Sequence, residues 1–351
     1  MITIDNKFIG KENSPFIIAE MSGNHNQSLE KALKIVEAAA SAGVDALKLQ
    51  TYTADTMTLD ISKDEFFIDE ENSLWKGESL YNLYKKAYTP WEWHKIIFDK
   101  CKELGIIGFS TPFDFTSVDF LEELDVPCYK IASFENIDIP LLKKVAKTGK
   151  PVIMSTGMAT LEELNESVET LKNNGCTDIV LLKCTSTYPA NPENTNILTI
   201  SDMKQKFPEC EIGLSDHTMG IGVSIASVAL GSTVIEKHFT LSRADGGVDS
   251  AFSIETDEMK QLVLETNRAW QSLGKVSYDL SEGEKSSITF RRSLYVSEDI
   301  AFGEILTEKN LRSIRPGMGL LPKYYEELLG KKVNKDIKKG TPISWDLILR
   351  G

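Results

Sequence analysis

Two of the chain's four histidines are placed where they could share a metal ion. His217 closes the mostly apolar run IGLSDH, and His238 closes the mostly apolar run VIEKH. If these runs are neighbouring strands, their ends lie about 4.8 Å apart, so both imidazoles could reach one ion. Two histidines without an obvious third soft ligand favour an open, Mn²⁺-like site over a closed structural zinc site. The alternative is a pair of ordinary, hydrogen-bonded histidines.

Two lysines lie near the ends of other apolar runs, Lys48 in ALKLQTY and Lys130 in YKIASFE. A buried lysine is costly without an anion, so both could bind a phosphate or a carboxylate. The alternative is that they pair with Glu20 or Glu135. Hydroxyl groups that could complete an anion site end three further runs, at Thr111, Ser155 and Ser215.

Glu20 and Glu135 are also candidates for chemistry, because a carboxyl group at a strand end could transfer a proton or orient a sugar hydroxyl. Each could equally be a plain partner for a lysine. The two remaining histidines are weaker candidates for a role in chemistry. His94 lies in a Trp-rich helical stretch and is predicted to be structural, whereas His25 lies in a Gly-Asn-His-Asn turn, where a turn role and a substrate contact both stay open.

The elements that must position these residues alternate regularly along the chain. Eight short apolar runs separated by amphipathic stretches are typical of parallel strands covered on both faces. They predict an α/β fold, a (β/α)₈ TIM barrel, whose active site lies at the C-terminal ends of the strands. An open, doubly wound sheet is the alternative, although no Gly-x-Gly-x-x-Gly follows the first run. The predicted strands are 16–20, 46–50, 105–113, 128–133, 151–156, 179–186, 211–217 and 234–240.

Capping signals mark several of the helices between these strands. Ser28 is a predicted N-cap for a helix that Gly43 ends. Thr160 and Glu163 have the spacing of a capping box. A closing helix is expected over 256–273.

The chain is expected to hold a barrel domain over 1–275, a polar linker over 276–289 and a small domain over 290–351. The last piece, of about 60 residues, is marginal for independent stability, so it is expected to lean on a barrel, its own or a partner's. It carries 12 basic and 8 acidic residues, net +4, whereas the whole chain has a net charge of −13. This complementarity suggests docking, with chance scatter as the alternative.

Charge and composition exclude several classes of function. A net charge of −13 argues against nucleic acid or an anionic membrane as a partner, since both need a basic face. Five cysteines without any Cys-x-x-Cys pair indicate a reduced, cytoplasmic protein, and the first residues carry no signal pattern. The longest uncharged stretch, 217–235, is interpreted as a packed core segment rather than a membrane span.

Taken together, the strand-end strings resemble the sialic acid synthase family. They are IIAE, NHN, ALKLQTY, FSTPFD, YKIASFE, PVIMSTGM, CTSTYP, IGLSDHT and EKHFTL, in that order, followed by RRSL and RPGMG. The C-terminal piece resembles the antifreeze-like (SAF) domain that ends these enzymes. The resemblance implies a (β/α)₈ barrel followed by a SAF domain, in a domain-swapped homodimer.

The resemblance also implies a reaction, the metal-dependent condensation of phosphoenolpyruvate with an open-chain amino sugar. The segments LWKGESLYNLYKKAYTPWEWH and RADGGVDSAFS resemble the branch that uses 2,4-diacetamido-2,4,6-trideoxy-L-altrose and releases pseudaminic acid and phosphate. N-acetylneuraminate and legionaminic acid synthases are the alternatives within the family. A metal aldolase that works without phosphoenolpyruvate and a non-catalytic sugar-binding protein are more remote ones.

Residue roles carried over by motif position follow from the same resemblance. His217 and His238 would hold a divalent metal (Mn²⁺, Mg²⁺ or Co²⁺) that polarises the sugar aldehyde, and Glu20 and Glu135 would act near the reacting centre. Phosphoenolpyruvate would be bound by Lys48, Thr111, Lys130, Ser155 and Ser215. The sugar would be bound by Gln50, Phe113, Tyr188 and Asp249, and by Arg315 of the RPGMG turn from the SAF domain of a partner subunit.

Two departures from the family pattern concern the sugar side. An Asn often stands in N-acetylneuraminate synthases where this chain has Ser186, and the region between Gln50 and Leu83 does not align well with theirs. Residues 72–88 are extra material between the second and third units and are predicted to form a lid or specificity loop. A 6-deoxy, diacetamido sugar is less polar than N-acetylmannosamine. We therefore expect an apolar wall for its methyl group from Trp75, Tyr81 and Tyr84.

Overall fold

The computed structural model describes residues 1–71 and 75–349. The chain divides into two compact units, Met1–Gly274 and Lys275–Gly351. The first unit opens with an antiparallel hairpin, β1 (Ile2–Ile4) and β2 (Lys7–Ile9), which the sequence pattern did not predict. A closed barrel of eight parallel strands follows, and it confirms the predicted (β/α)₈ architecture. Its strands are β3 (Phe16–Glu20), β4 (Ala46–Thr51), β5 (Ile107–Pro112), β6 (Tyr129–Ile131), β7 (Val152–Ser155), β8 (Ile179–Cys184), β9 (Glu211–Asp216) and β10 (Val234–His238).

The helices of the first unit connect these strands, and the predicted capping signals act as expected. Ser28 accepts a hydrogen bond from the Lys31 N–H at the start of the first helix, which ends at Gly43 in the left-handed region, with φ of 87°. Thr160 and Glu163 form a capping box. The helices are α1 (Leu29–Ala42), α2 (Ala54–Met57), α3 (Leu80–Ala87), α4 (Trp91–Glu103), α5 (Phe115–Glu123), α6 (Ile139–Ala146), α7 (Leu161–Asn173), α8 (Thr199–Lys206), α9 (Gly222–Ala229) and α10 (Thr256–Leu273).

The alternation of side chains along each strand decides what the barrel encloses. In β4, Leu47 and Leu49 pack outward against the helices, whereas Ala46 belongs to the interior cluster and Lys48 is buried on the same face as Ala46. Ile2 and Ile4 of the hairpin join that interior cluster and fill the end of the barrel where the strands begin. Apolar packing therefore occupies one end, and the polar side chains are left to the other, C-terminal end.

The second unit has its own apolar core around an antiparallel pair, β11 (Ser293–Val296) and β12 (Leu311–Ile314). Two short helices accompany it, α11 (Glu282–Lys285) and α12 (Tyr325–Leu328). The stretch predicted as a polar linker contains α11, and its residues are exposed throughout. No helix within residues 1–71 and 75–349 is both long and apolar enough to cross a membrane.

Candidate active site

The inward-facing polar side chains surround a narrow cavity of about 50 Å³ at the C-terminal ends of the barrel strands. Most of the residues singled out from the sequence line it: Glu20, Lys48, Gln50, Thr111, Phe113, Lys130, Ser155, Tyr188, Ser215, His217 and His238.

Lys48 is held by a carboxylate and a hydroxyl group. Its ammonium forms an ion pair with Glu20, as the alternative interpretation expected, and lies 3.1 Å from Thr111 Oγ1. Gln50 Nε2 donates to the other oxygen of Glu20 at 3.0 Å. Burial opposes the charge of Lys48, but the Glu20 and Glu236 carboxylates outweigh burial and raise the pKa of Lys48. The lysine therefore stays cationic at neutral pH.

Lys130 is less completely paired than Lys48. Its Nζ donates to Ser155 Oγ at 2.7 Å and lies 3.7 Å from Glu236 Oε1, which is 3.9 Å from Lys48 Nζ. Glu236 therefore stands between two ammonium groups without a short contact to either. Burial lowers the pKa of Lys130, against the pull of Glu236. An anion that enters the cavity could give Lys130 a closer partner than the Glu236 oxygen at 3.7 Å.

The buried charges of the cavity balance one another. Two lysines, Lys48 and Lys130, face two carboxylates, Glu20 and Glu236. A ligand with both a phosphate and a carboxylate therefore meets donor groups without a surplus of positive charge. A divalent cation beside it would supply the missing charge.

The two histidines fit a site for such a cation. His217 Nδ1 lies 2.9 Å from the Thr185 carbonyl oxygen; since a carbonyl only accepts, Nδ1 carries a proton and Nε2 is the nitrogen that a metal could bind. Burial opposes the charge of His217, but Cys184 and the Thr185 carbonyl oxygen outweigh burial and raise the pKa of His217, so metal binding would displace a proton from Nε2. His238 Nδ1 is buried and has no hydrogen-bond partner within the described part of the chain. Burial, reinforced by His217, holds the pKa of His238 well below its usual range, so its ring is neutral. Neutral imidazole is the form that binds metals.

The geometry of this pair agrees with an open site. The two ring centroids are 5.4 Å apart, and both rings face the cavity. Among residues 1–71 and 75–349, no group of three or more His, Cys, Asp or Glu side chains is arranged to enclose a metal ion. Two protein ligands would leave several coordination positions for substrate and water.

Tyr188 forms an aromatic wall beside the histidines. Its ring centroid lies 4.5 Å from that of His217 and 5.2 Å from that of Phe252. Trp75, from the predicted insertion, lies 6.2 Å from Tyr188, and its Nε1 donates to the Val248 carbonyl oxygen at 3.2 Å. Trp75 therefore joins the insertion to the loop that follows β10.

The two tyrosines of the insertion differ in whether they pack toward the cavity. Tyr84 packs edge-on against Tyr52 at 5.8 Å, and Tyr52 packs against the cavity residue Phe113 at 5.2 Å. Tyr81 does not take part in these ring contacts, and its hydroxyl group donates to Asp55 at 3.1 Å. Residues 72–74 of the predicted insertion lie outside the described residues.

Glu135 and Asp249 lie next to the cavity lining rather than in it. Glu135 follows the lining residues Ser133 and Phe134 in a short 3₁₀ turn. Its buried Oε2 has no hydrogen-bond partner in the part of the chain that the structure describes, and burial raises its pKa to about 7. Asp249 accepts a hydrogen bond from Ser22, and its Oδ2 lies 3.8 Å from His238 Nδ1.

The other two histidines are held by structural contacts. His94 is buried, with Nε2 at 2.8 Å from Thr51 Oγ1 and Nδ1 at 3.2 Å from the Pro90 carbonyl oxygen. His25 is also buried, with Nε2 at 3.2 Å from Thr89 Oγ1. Neither lines the cavity, so the turn role is the one that the contacts of His25 support.

The cavity lining also includes five residues to which the sequence had given no role: Ala132, Ser133, Phe134, Cys184 and Glu236. The available signal was the two-residue period of a strand, which puts Glu236 on the same face as His238. Arg315 belongs to the second unit, where it follows β12 and is exposed. Its predicted contact with the sugar stays a prediction.

Comparisons with known proteins add to this geometry. Residues 35–278 match the NeuB family, and residues 291–349 match the SAF domain. A pseudaminic acid synthase from Campylobacter jejuni is 48% identical over 325 residues, covering 93% of this chain and 94% of that protein. One from Helicobacter pylori is 42% identical over 338 residues, covering 96% and 98%. The solved structure of an N-acetylneuraminic acid synthetase from Leptospira borgpetersenii has a TM-score of 0.72 and 34% identity, covering 82% and 94%.

Proposed function

The chain belongs to the NeuB family and ends in a SAF domain, and from this premise we propose that it is a phosphoenolpyruvate-dependent synthase of a sialic-type acid. The substrates are phosphoenolpyruvate and 2,4-diacetamido-2,4,6-trideoxy-L-altrose, and the products are pseudaminic acid and inorganic phosphate. The acceptor sugar follows from the identity of 42–48% to pseudaminic acid synthases along more than nine-tenths of the chain.

The proposal rests on one observation, that two different groups of side chains line the same cavity. One is an anion site made of lysines and hydroxyl groups, in which Lys130 Nζ lies 2.7 Å from Ser155 Oγ. The other is the pair of histidines, His217 and His238, whose rings both face the cavity. A metal aldolase would not need the anion site, and a sugar-binding protein would not need the histidine pair.

In the proposed reaction, C3 of phosphoenolpyruvate forms a bond to the aldehyde carbon of the sugar. Water adds to C2, and the tetrahedral intermediate loses phosphate by C–O cleavage. His217 and His238 would hold a divalent ion, which would supply a Lewis acid for polarising the aldehyde. Lys130 and Lys48 bind the phosphate and the carboxylate, with hydroxyl groups from Thr111, Ser155 and Ser215.

The carboxyl groups near the cavity support the proton transfers of this reaction. Glu135 has a pKa of about 7 because of its burial, so it can both give and take a proton at neutral pH. Glu20 is fixed by Lys48 and by the amide of Gln50. We assign Glu135 to proton exchange and Glu20 to holding Lys48 and Gln50 toward the substrates.

The sugar is proposed to lie against Gln50, Phe113 and Tyr188, with Asp249 behind His238. Phe113 and Tyr188 present apolar ring surface to the cavity. Such surface suits the methyl group of a 6-deoxy sugar better than the hydroxymethyl group of N-acetylmannosamine.

The test is phosphate release from phosphoenolpyruvate with Mn²⁺, with and without a chelator. Three sugars are compared: the diacetamido-trideoxy-altrose, its legionaminate-type isomer and N-acetylmannosamine. We expect chelator-sensitive release with the first sugar alone. Release with another sugar overturns the acceptor and keeps the reaction, whereas release with none overturns the synthase. The same assay with Mg²⁺ and Co²⁺ identifies the metal.

We further propose that the enzyme is a cytoplasmic, domain-swapped homodimer in which Arg315 binds the sugar of the partner subunit. The net charge of +4 over 290–351 supports docking onto an acidic barrel, and five cysteines without any Cys-x-x-Cys pair support a reduced, cytoplasmic protein. Mixing Arg315→Ala subunits with Lys130→Met subunits tests the sharing of sites. We expect part of the activity to return after subunit exchange, and no recovery would contradict the swap.

A further inference from the structure

A second buried ion pair lies behind the two histidines. Asp216 is the last residue of β9 and Lys237 is the residue before the end of β10, so each comes directly before one of the histidines. Because side chains alternate along a strand, both point away from the cavity. Lys237 Nζ lies 2.9 Å from Asp216 Oδ2, and both side chains are only 1% exposed.

The pair holds the backbone around His217 from both sides. Lys237 Nζ donates to the carbonyl oxygen of Thr218 at 2.6 Å and lies 3.4 Å from that of Asp216. Asp216 Oδ1 accepts from the Thr218 N–H at 2.8 Å and from its hydroxyl group at 2.7 Å. The remaining oxygen, Oδ2, also accepts from Ser224 Oγ at 2.6 Å. The three-residue segment around His217 is therefore closed into a fixed turn.

Stability alone is a weak reason for such a pair. Replacing a buried ion pair by apolar side chains of similar volume is often neutral or stabilising, because the desolvation cost disappears. An apolar pair, however, could not make directional hydrogen bonds. Hydrogen bonds to named carbonyl groups fix where the end of β9 lies relative to the end of β10. Those two strand ends carry His217 and His238.

We propose that Asp216 and Lys237 form a positioning pair that sets the separation and orientation of His217 and His238, and through them the affinity for a divalent metal. The proposal rests on the metal role assigned above to the two histidines. Groups that orient metal ligands typically contribute 10- to 100-fold to metal affinity. The pair acts through the backbone of the ligands and does not itself touch the ion.

The experiment measures the dissociation constant for Mn²⁺ directly, on metal-stripped full-length protein, from the free Mn²⁺ signal in electron paramagnetic resonance. Lys237→Met keeps the length and packing of the side chain and removes its charge. We expect Mn²⁺ binding to weaken about 10- to 100-fold. A folded Lys237→Met protein with an unchanged dissociation constant overturns the proposal.

His217→Ala and His238→Ala separate this proposal from the function on which it rests. If neither histidine variant loses Mn²⁺ binding, the metal role of the histidines is wrong. If both lose it while Lys237→Met does not, only the positioning pair is wrong.

A matched control and a second variant guard against general loss of structure. Thr51 is buried on the outer face of β4 and bonds His94 and Ser110, so Thr51→Val removes buried hydrogen bonds behind other strands. It should lower thermal stability and leave the Mn²⁺ dissociation constant unchanged. An equal loss of Mn²⁺ affinity in Thr51→Val would overturn the proposal.

The double variant Asp216→Asn/Lys237→Met leaves no unpaired buried charge and serves if Lys237→Met does not fold. We expect the double variant to regain stability relative to Lys237→Met, yet to bind Mn²⁺ as weakly. Recovery of Mn²⁺ affinity together with stability would show a structural role only.

Discussion

Two buried charge clusters lie on the outer and inner faces of the barrel wall, and they differ in how completely they are hydrogen-bonded. The outer cluster is Asp216 with Lys237, in which both carboxylate oxygens and the ammonium have short partners. The inner cluster is Glu20, Lys48, Lys130 and Glu236. There Glu236 lies 3.7 and 3.9 Å from its lysines, and its Oε2 has no hydrogen-bond partner among the described residues. Glu236 and Lys237 are neighbours in the chain, so one peptide unit separates the two clusters.

The difference shows what each cluster is for. A buried polar group without a partner costs free energy, so an incomplete cluster persists only where a ligand completes it or where function demands it. A saturated cluster has no capacity left for a ligand and can act only on its own surroundings. The inner cluster is therefore suited to binding, and the outer cluster to holding the backbone.

Breaking the outer cluster should give the largest effect, and the effect is on stability. Asp216→Ala leaves the Lys237 ammonium buried without its carboxylate. Removal of one partner from such a pair costs about 3–5 kcal/mol of unfolding free energy. Glu236→Gln in the inner cluster should cost less, because Glu236 lies 3.9 and 3.7 Å from its lysines and makes no short hydrogen bond with them. Urea unfolding of the two variants checks the comparison, and equal losses would contradict it.

Breaking the inner cluster should affect activity instead. Lys130→Met removes a cation proposed to bind phosphoenolpyruvate, and loss of one such preorganised donor lowers the rate by about 10²–10³-fold. Steady-state phosphate release should show this loss in kcat/KM for phosphoenolpyruvate. Urea unfolding of the same variant shows whether the protein remains folded, because Lys130 is buried and bonds Ser155. A variant that is fully active, or that is inactive only because it is unfolded, would contradict the assignment.

The elements of the fold also differ in how well the sequence could predict them. The eight strands were predictable because covered parallel strands are short apolar runs, and the polar residues that end them stand out. The hairpin at Ile2–Ile4 and Lys7–Ile9 was not, because each of its strands has three residues, too few for a period to be seen. Only the closed barrel in the structure shows that the isoleucines of this hairpin fill one end of its interior.

The sequence could predict most of the residues that belong to the site, but not all of the contacts between them. Lys48 and Lys130 both lie within predicted strands, but only the closed barrel places Glu236 between them. Lys237 gave no signal of its own, because its contacts to Asp216 and Thr218 cross from β10 to the turn after β9. Contacts between neighbouring strands depend on register, which a single apolar run does not encode.

An unpaired carboxyl group at the cavity should also leave a signature in the pH dependence of stability. Glu135 has a pKa of about 7 in the folded protein, raised by burial from about 4.5. The folded state therefore binds this proton more tightly than the unfolded state does. Glu135 contributes its full stability only at low pH, and the contribution is lost as the pH rises through about 7.

Glu135→Gln should accordingly gain stability over the unaltered protein as the pH rises from about 4.5 to 8. We expect a gain of about 1–2 kcal/mol, after allowance for solvent at this half-buried side chain. Urea unfolding across this pH range measures the difference, and Glu12→Gln, at an exposed site, is the control. A difference that does not change with pH would show that Glu135 is not the buried acid described above.

The smallest expected effect concerns the aromatic insertion beside the inner cluster. Trp75 lies against the cavity residue Tyr188, whereas Tyr81 of the same insertion bonds Asp55. An aromatic pair of this kind contributes about 0.5–1.5 kcal/mol. Trp75→Leu should therefore raise KM for the sugar about 2- to 12-fold and leave KM for phosphoenolpyruvate unchanged. Tyr81→Leu is the matched control and should change neither constant. Equal effects of the two variants would mean that the insertion acts on the stability of the fold rather than on the sugar.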